Sequence, residues 1–217
     1  MENPIDLIAR LGVVPVIAIE NARDAVPLAD ALLEGGLAVA EITFRTEAAA
    51  DVLAAIRDAR PELCIGAGTI LDRPNLECAI ASGARFALAP GHDPQVVAAA
   101  ADAKLPFCPG IMTPTDLTLA AAQGIRLAKF FPAGVAGGPK ALSGIAAPFA
   151  HLGMRFIPTG GVTEATIGEW LSIPQVVAVG GTWIAKTEDI REGRFKAIAE
   201  NAASAVRVAR QALEKRA

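Results

Sequence analysis

The stretch VVAVGGTWI, Val176–Ile184, is the last of eight short apolar runs that recur along this chain of 217 residues. Each run is rich in β-branched residues and short enough to be one buried strand, because buried parallel strands read as nearly continuous apolar segments. The number of these runs decides the fold class. The eight runs begin at Val13, Val39, Cys64, Phe86, Phe107, Ile125, Arg155 and Val176.

Between the runs lie Ala-, Leu- and Val-rich segments with helical spacing, such as RDAVPLADALLEGG (23–36) and EAAADVLAAIRDAR (47–60). Several begin at a residue that favours a helix N-cap, such as Asp93, or Thr115 after the Thr113–Pro114 pair, and several end at glycine. The alternation predicts parallel strands joined by right-handed crossovers.

Eight strand–helix units fit a single (β/α)8 barrel over residues 1–217 better than an open doubly wound sheet. We expect an extra helix around Pro4–Leu11 to precede the first strand. With 53% hydrophobic and 20% charged residues, the chain can bury a large core and does not have the composition of a disordered segment.

Charge and composition exclude several classes of function. The net charge of −3 and the lack of a basic block argue against nucleic acid as a partner, and no apolar run is long enough for a membrane span. The start of the chain has no secretory signal, and Cys64, Cys78 and Cys108 are widely spaced. Reduced thiols in the cytoplasm are therefore expected. His92 and His151 have no ligand-like neighbours, so no His-rich metal site is expected.

Polar side chains share one face of the second run, VAEITFR, which spans residues 39–45. Successive side chains of a strand point to opposite sides, so Glu41, Thr43 and Arg45 lie on the same side. A polar face does not pack against apolar helices, and we expect these side chains to point into the barrel or its mouth. Barrel enzymes carry their chemistry at this C-terminal end of the strands.

A lysine interrupts the sixth run, in LAKFFPAG (127–134). A buried ammonium is costly unless it is paired or loses its proton. Alternation alone leaves open which face Lys129 occupies, but an inward Lys129 would meet Glu41, whereas an outward one would meet helices. Two non-functional alternatives stay open: a purely structural ion pair between Lys129 and Glu41, or two unrelated solvated side chains. Two later strand ends that are rich in glycine, described next, favour a functional pair.

Glycine pairs end the seventh and eighth runs, in PTGGV and VGGTWI. The loops after these strands are a frequent phosphate site in barrel enzymes, because bare backbone N–H groups approach an anion closely. The candidates are Gly160, Gly161, Gly180 and Gly181, with a hydroxyl contact from Thr182. Neither segment contains Lys or Arg, so binding would depend on backbone dipoles and a helix N-terminus. The alternative is that the glycines only form tight turns.

These motifs together resemble the 2-keto-3-deoxy-6-phosphogluconate (KDPG) aldolases, a class I aldolase family that also acts on 4-hydroxy-2-oxoglutarate (KHG). The matching stretches follow in family order over nearly the whole chain: VVPVIAI, EITFRTEAA, IGAGTIL, ALAPG, PGIMTP, KFFPAG, AGGPKAL, FIPTGGV and VGGTWI. The resemblance implies a homotrimeric (β/α)8 barrel that cleaves KDPG to pyruvate and D-glyceraldehyde 3-phosphate through an imine, without a metal or other cofactor. It also admits cleavage of KHG to pyruvate and glyoxylate.

The same resemblance implies roles for individual residues. Lys129 matches the Schiff-base lysine and Glu41 the general acid and base. Gly160, Gly161 and Thr182 match the phosphate-binding loops. The pyruvate half would be held by Arg45 and Thr69 at its carboxylate and lined by Pro90 and Phe131.

Two positions depart from the family pattern, and rival functions remain. Gly134 stands where many members have Glu, which leaves that side chain no role here, and Thr182 stands where many have Ser, which keeps the hydroxyl. The nearest rival is the aldolase for the galactonate epimer, which would share the catalytic residues. The others are a sugar-phosphate isomerase or synthase without an imine, and a non-catalytic phosphate-binding barrel.

Overall fold

The computed structural model describes residues 2–216 and forms an α/β fold built on short parallel strands. Each of the eight predicted runs contains at least one strand, so the predicted α/β class is confirmed. The strands are β1 Val13–Ile17, β2 Val39–Thr43, β3 Cys64–Gly68, β4 Ala87–Leu88, β5 Phe107–Cys108, β6 Gly110–Ile111, β7 Leu127–Phe130, β8 Arg155–Pro158 and β9 Val179–Gly181.

The strands pair in parallel in two curled groups. One sheet has the order β5-β4-β3-β2-β1-β9 and the other the order β6-β7-β8. Two parallel bridges, Phe156 with Val176 and Thr159 with Gly180, connect β8 to the β9 segment. The register sets Val16 beside Glu41 and sets Glu41 beside Gly66, so the ends of β1, β2 and β3 lie level.

The fifth run differs from the expected single strand because Pro109 divides it into β5 and β6. Proline has no backbone N–H to donate to a neighbouring strand, so the ladder breaks at this residue. Its carbonyl still accepts a hydrogen bond of 2.8 Å from the backbone N–H of Lys129.

Ten α-helices connect or flank the strands in the described part of the chain, with 3-10 turns at Ala22–Asp24, Ala147–Leu152 and Glu164–Thr166. The helices are α1 Pro4–Leu11, α2 Ala25–Glu34, α3 Ala49–Ala59, α4 Arg73–Ala81, α5 Pro94–Asp102, α6 Pro114–Ala122, α7 Gly138–Ala146, α8 Ile167–Leu171, α9 Thr187–Arg191 and α10 Phe195–Glu214.

The helix starts show why these segments are helical. Asp93 caps α5 by accepting a hydrogen bond from the backbone N–H of Gln95 at 2.7 Å, as expected. The predicted cap at Thr115 is wrong, because the cap of α6 is Thr113, two residues earlier. Thr113 and Asp116 form a reciprocal capping box, which satisfies two N–H groups that a later start would leave without partners.

The core lies between the strands and the helices, and all residues of β1, β2, β3 and β7 are buried. Three of these buried strand residues are polar or charged: Glu41, Thr43 and Lys129. Within residues 2–216, no helix combines the length and apolarity needed to cross a membrane. The predicted domain ends, Met1 and Ala217, lie outside the described residues.

Candidate active site

A cavity of about 120 Å³ opens at the C-terminal ends of the strands, and the structure brings all eleven predicted site residues to its wall. They come from β2, β7 and β9 and from the segments that follow β2, β3, β4, β7, β8 and β9. The predicted residues are Glu41, Arg45, Thr69, Pro90, Lys129, Phe131, Gly160, Gly161, Gly180, Gly181 and Thr182.

Four further residues line the cavity, and three of them were missed in the sequence. Val16, Thr159 and Val162 were not predicted, whereas Thr43 was expected on the inner face. A usable signal existed for Thr159, which is a polar residue at a strand end directly before the glycine pair. No pattern in the sequence marks the two valines.

At the buried floor of the cavity, Lys129 and Glu41 form an ion pair. The Nζ atom of Lys129 donates to Oε1 of Glu41 at 3.1 Å, and the two side chains are only 5% and 2% exposed. This is the pairing expected for an inward lysine. Removing two charges from water costs several kcal/mol per ion, and the attraction between the two ions offsets only part of this desolvation penalty. Such a pair is therefore weak evidence for a stabilising role. Its position facing a cavity favours chemistry instead.

Gly68 in β3 makes room for the carboxyl group of Glu41. A Cβ atom on Gly68 would collide with that side chain, and a Cβ on Gly66 would collide with the ring of Phe86. These two glycines of β3 therefore leave space for a catalytic candidate and for a core ring. Gly68 therefore fixes where the carboxylate lies.

Arg45 lies at the exposed rim, and two hydrogen bonds in series connect its side chain to β1. Its Nε atom donates to Oγ1 of Thr43 at 3.2 Å, and this hydroxyl donates to the carbonyl of Ile17 at 3.0 Å. Within residues 2–216, no carboxylate lies within 4.0 Å of the Arg45 guanidinium. The guanidinium is thus positioned by a neutral partner and keeps its charge for a ligand.

The wall between floor and rim is formed by Thr69, Pro90 and Phe131, which are all partly buried. The Nζ atom of Lys129 lies 5.5 Å from the centre of the Phe131 ring, within range of a cation–π contact. Thr69 has φ of 60°, in the left-handed region that a β-branched residue rarely adopts. Such strain is found at ligand sites, where the surrounding structure enforces it.

The two predicted glycine pairs have different structural reasons. Gly160 and Gly161 have φ of 91° and 78°, so their turn requires glycine for its backbone conformation. Gly180 and Gly181 are strand residues of β9, where a Cβ atom would collide with Thr159 and with the Trp183 ring respectively. The first pair forms a loop at the rim, and the second lets the wall pack closely.

A second loop supports the first glycine pair. Gly134 donates its backbone N–H to the carbonyl of Gly160 at 2.8 Å, and a Cβ on Gly134 would lie 3.3 Å from the Cα of Gly161. The first helix after Thr182 is α9, which begins at Thr187. Across residues 2–216, no three His, Cys, Asp or Glu side chains cluster as a metal ion would require.

Comparisons with known proteins agree with this geometry. The family model "KDPG and KHG aldolase" matches residues 5–201. A 2-dehydro-3-deoxy-phosphogluconate aldolase of Haemophilus influenzae is 41% identical over 194 residues, which cover 89% of this chain and 91% of that protein.

Two solved KDPG aldolases have the same fold. The enzyme of Legionella pneumophila, with pyruvate captured as a covalent carbinolamine, has a TM-score of 0.88 and 36% identity, with coverage of 93% of this chain and 97% of that one. The enzyme of Zymomonas mobilis with 3-phosphoglycerate has a TM-score of 0.84 and 35% identity, with coverage of 94% and 96%. By sequence and by structure, this chain belongs to the KDPG and KHG aldolase family.

Proposed function

We propose that this protein is a class I aldolase that cleaves KDPG to pyruvate and D-glyceraldehyde 3-phosphate. One observation carries the proposal: Lys129 and Glu41 form a buried, hydrogen-bonded pair at the floor of a cavity whose rim carries Arg45 and a glycine loop. A buried lysine that faces a cavity is suited to attack a carbonyl, and the carboxylate beside it is suited to move protons.

The first step is formation of an imine. Transfer of a proton from Nζ of Lys129 to Oε1 of Glu41, along their 3.1 Å contact, leaves a neutral amine. This amine adds to the C2 carbonyl of the substrate, and the carbinolamine that results loses its oxygen as water. Glu41 returns the proton that the departing hydroxyl requires. The protonated imine at Lys129 is the electron sink, and no metal or other cofactor is needed.

The second step breaks the C3–C4 bond. A base removes the proton of the 4-hydroxyl, directly or through a water, and Glu41 is the acidic side chain that lines the cavity. The C3–C4 electron pair moves into the imine, which becomes an enamine, and the aldehyde half leaves. Protonation of the enamine at C3 and hydrolysis of the imine then release pyruvate and the free lysine.

Arg45 and Thr69 bind the carboxylate in this scheme. A guanidinium makes a charge-assisted contact with a carboxylate, and a threonine hydroxyl adds a hydrogen bond. Pro90 and Phe131 line the pyruvyl group and limit water around the imine. Support comes from the position of all four side chains on the wall of one cavity.

The phosphate of the aldehyde half binds at the rim, over the backbone of Gly160 and Gly161 and beside the hydroxyl of Thr182. The positive φ of both glycines turns the loop, and they have no side chain to block an anion. Gly180 and Gly181 serve this site by close packing of the wall, and the support is the collision that a Cβ on either would cause.

The experiment that tests the function compares three substrates with the purified protein. Pyruvate release is measured with KDPG, with its galactonate epimer and with KHG. We expect KDPG to have the highest kcat/KM, and the family also admits activity on KHG. A higher kcat/KM for the galactonate epimer would assign the protein to that rival, and no pyruvate from any of the three would remove the aldolase proposal.

Larger-scale features belong to the same proposal. We infer a single domain with a closed (β/α)8 barrel, supported by the bridges from β8 to β9 and by the one-residue gap between β5 and β6. A homotrimer is supported by the exposed apolar side chains of Leu71 and Met112, which are 57% and 45% exposed. The three unpaired cysteines support the predicted cytoplasmic location.

A further inference from the structure

A second cavity of about 230 Å³ adjoins the catalytic one at the ends of β1 and β2, and we call it the side cavity. The two cavities share Val16, Arg45 and Thr182. The other residues of the side cavity are Ala18, Ala185, Lys186 and Thr187.

The small volume of the catalytic cavity indicates that part of the substrate lies outside it. Small-molecule pockets commonly measure about 300–1,000 Å³, whereas the catalytic cavity has about 120 Å³. The imine fixes one end of the substrate at Lys129, at the buried floor. The other end therefore lies at the rim, where Thr182 belongs to both cavities.

The side cavity is positively charged. Arg45 and Lys186 line it, and none of its described wall residues is acidic. The two acids that follow Lys186 in the chain are already engaged, because Arg194 lies 2.7 Å from Asp189 and 3.8 Å from Glu188. Within residues 2–216, no carboxylate lies within 4.0 Å of the Lys186 ammonium. A lysine in this position is available to an anionic ligand.

Two contacts anchor the segment that carries Lys186. The hydroxyl of Thr187 donates to the carbonyl of Ala18 at 3.2 Å, and Nδ2 of Asn201 donates to the carbonyl of Ile184 at 3.3 Å. The backbone on either side of Lys186 is thereby held against β1 and α10. The long side chain is free to move, but its starting point beside Thr182 is fixed.

We propose that Lys186 is a specificity-determining residue that selects the phosphorylated aldehyde half of the substrate. This inference rests on the proposed function and deepens it. The glycine loops contain no Lys or Arg, and backbone N–H groups alone provide partial charges for a dianion. Lys186 provides the full positive charge on the side of the phosphate that faces the side cavity. Arg45, which lines both cavities, remains the partner of the carboxylate.

The test compares Lys186→Ala with wild type on KDPG and on unphosphorylated 2-keto-3-deoxygluconate. We expect kcat/KM for KDPG to fall about two- to fivefold, mainly through KM, because an exposed ion pair is worth at most about a fivefold change. For the unphosphorylated substrate, kcat/KM stays unchanged. Added salt should reduce the wild-type preference for phosphate and have little effect on that of the variant.

Three controls separate the explanations. Lys104→Ala removes an exposed lysine from the turn after α5, at the opposite end of the strands. It should leave kcat/KM unchanged for both substrates. Lys186→Arg keeps the charge and should keep most of the preference. Borohydride trapping of pyruvate should be the same in wild type and in Lys186→Ala, because the floor of the cavity is untouched.

Two results would overturn the inference. If Lys186→Ala lowers kcat/KM equally for both substrates, Lys186 is a structural residue. If it lowers kcat/KM for neither substrate, the backbone loops are sufficient to bind the phosphate. If wild type itself fails to cleave KDPG but still traps pyruvate at Lys129, the substrate assignment under the proposed function fails instead. Trapping in wild type distinguishes these two failures.

Discussion

Lys129 and Glu41 are 88 residues apart in the chain, yet Nζ of one donates to Oε1 of the other at 3.1 Å. The two residues come from β7 and β2, which belong to different sheets. Gly68 in the strand next to β2 leaves the space that the carboxyl group occupies. Three strands therefore define one hydrogen bond, and the chemistry proposed for this protein depends on it.

Lys129→Met should abolish both turnover and imine trapping. In wild type, pyruvate with borohydride should add one pyruvyl group, which peptide mass spectrometry should place on Lys129, because it is the buried lysine at the cavity floor. The matched control is Lys140→Met, which removes an exposed lysine of α7. An adduct on another lysine, with Lys129→Met still active, would contradict the mechanism.

Glu41→Gln should lower kcat by roughly 10²–10⁴, the usual contribution of a positioned acid or base. Glutamine fills the space beside Gly68 but does not exchange protons. Trapping with borohydride should become slow without disappearing, since Lys129 is retained. Glu47→Gln, at an exposed residue close to the end of β2, is the control. Near-normal kinetics in Glu41→Gln would assign the proton shuttle to another group.

The buried pair should be more sensitive to single than to double substitution. Removing one partner leaves an uncompensated buried charge, and we expect Lys129→Met to lose about 3–5 kcal/mol of unfolding free energy. Adding Glu41→Leu removes the second charge and should recover most of this loss. Urea unfolding of the single and double variants measures both steps. A double variant as unstable as Lys129→Met would show that packing, and not charge, dominates at this position.

Gly161→Ala should reduce the preference for a phosphorylated substrate while pyruvate trapping at Lys129 persists. Alanine is strained at φ of 78°, and its Cβ would lie 3.2 Å from the Cα of Gly134, so the loop must shift. Gly36→Ala has a similar φ of 74° with open space around it, and it isolates the cost of backbone strain. Removing the hydroxyl by Thr182→Val should have a smaller effect. If Gly161→Ala keeps the full preference, the glycines act only as a tight turn.

The three cysteines should differ in reactivity. Burial raises the pKa of the Cys108 thiol and of the Cys64 thiol, so the reactive thiolate is scarce at both, whereas Cys78 is exposed. In the native protein, a thiol reagent should modify only the exposed Cys78 rapidly, and it should modify all three cysteines after denaturation. Rapid native labelling of Cys108 would mean that the floor of the site opens to solvent.

The sequence by itself was sufficient for the order of strands and helices, except at Pro109, and its motifs, together with the family resemblance, named eleven of the fifteen residues that line the cavity. Buried strands are apolar wherever they lie in the fold, so the eight apolar runs can be recognised from the sequence alone. All eleven predicted residues line one cavity. Alternation along the second run, together with the polar character of one face, was enough to place Glu41 and Arg45 on the same side as the cavity. Local rules of this kind depend only on neighbours in the chain.

The tertiary structure alone decided the features that depend on contacts between distant segments. Pro109 divides the fifth run because the neighbouring strands need hydrogen bonds that it does not donate. Gly68 is needed because Glu41 crosses over it from the next strand, and Gly181 because Trp183 folds against it. Lys186 lines a cavity wall because the hydroxyl of the adjacent Thr187 donates a hydrogen bond to the carbonyl of Ala18, 169 residues away in the chain. Pairing between distant segments leaves no periodic signal in a single sequence, and only the folded chain shows it.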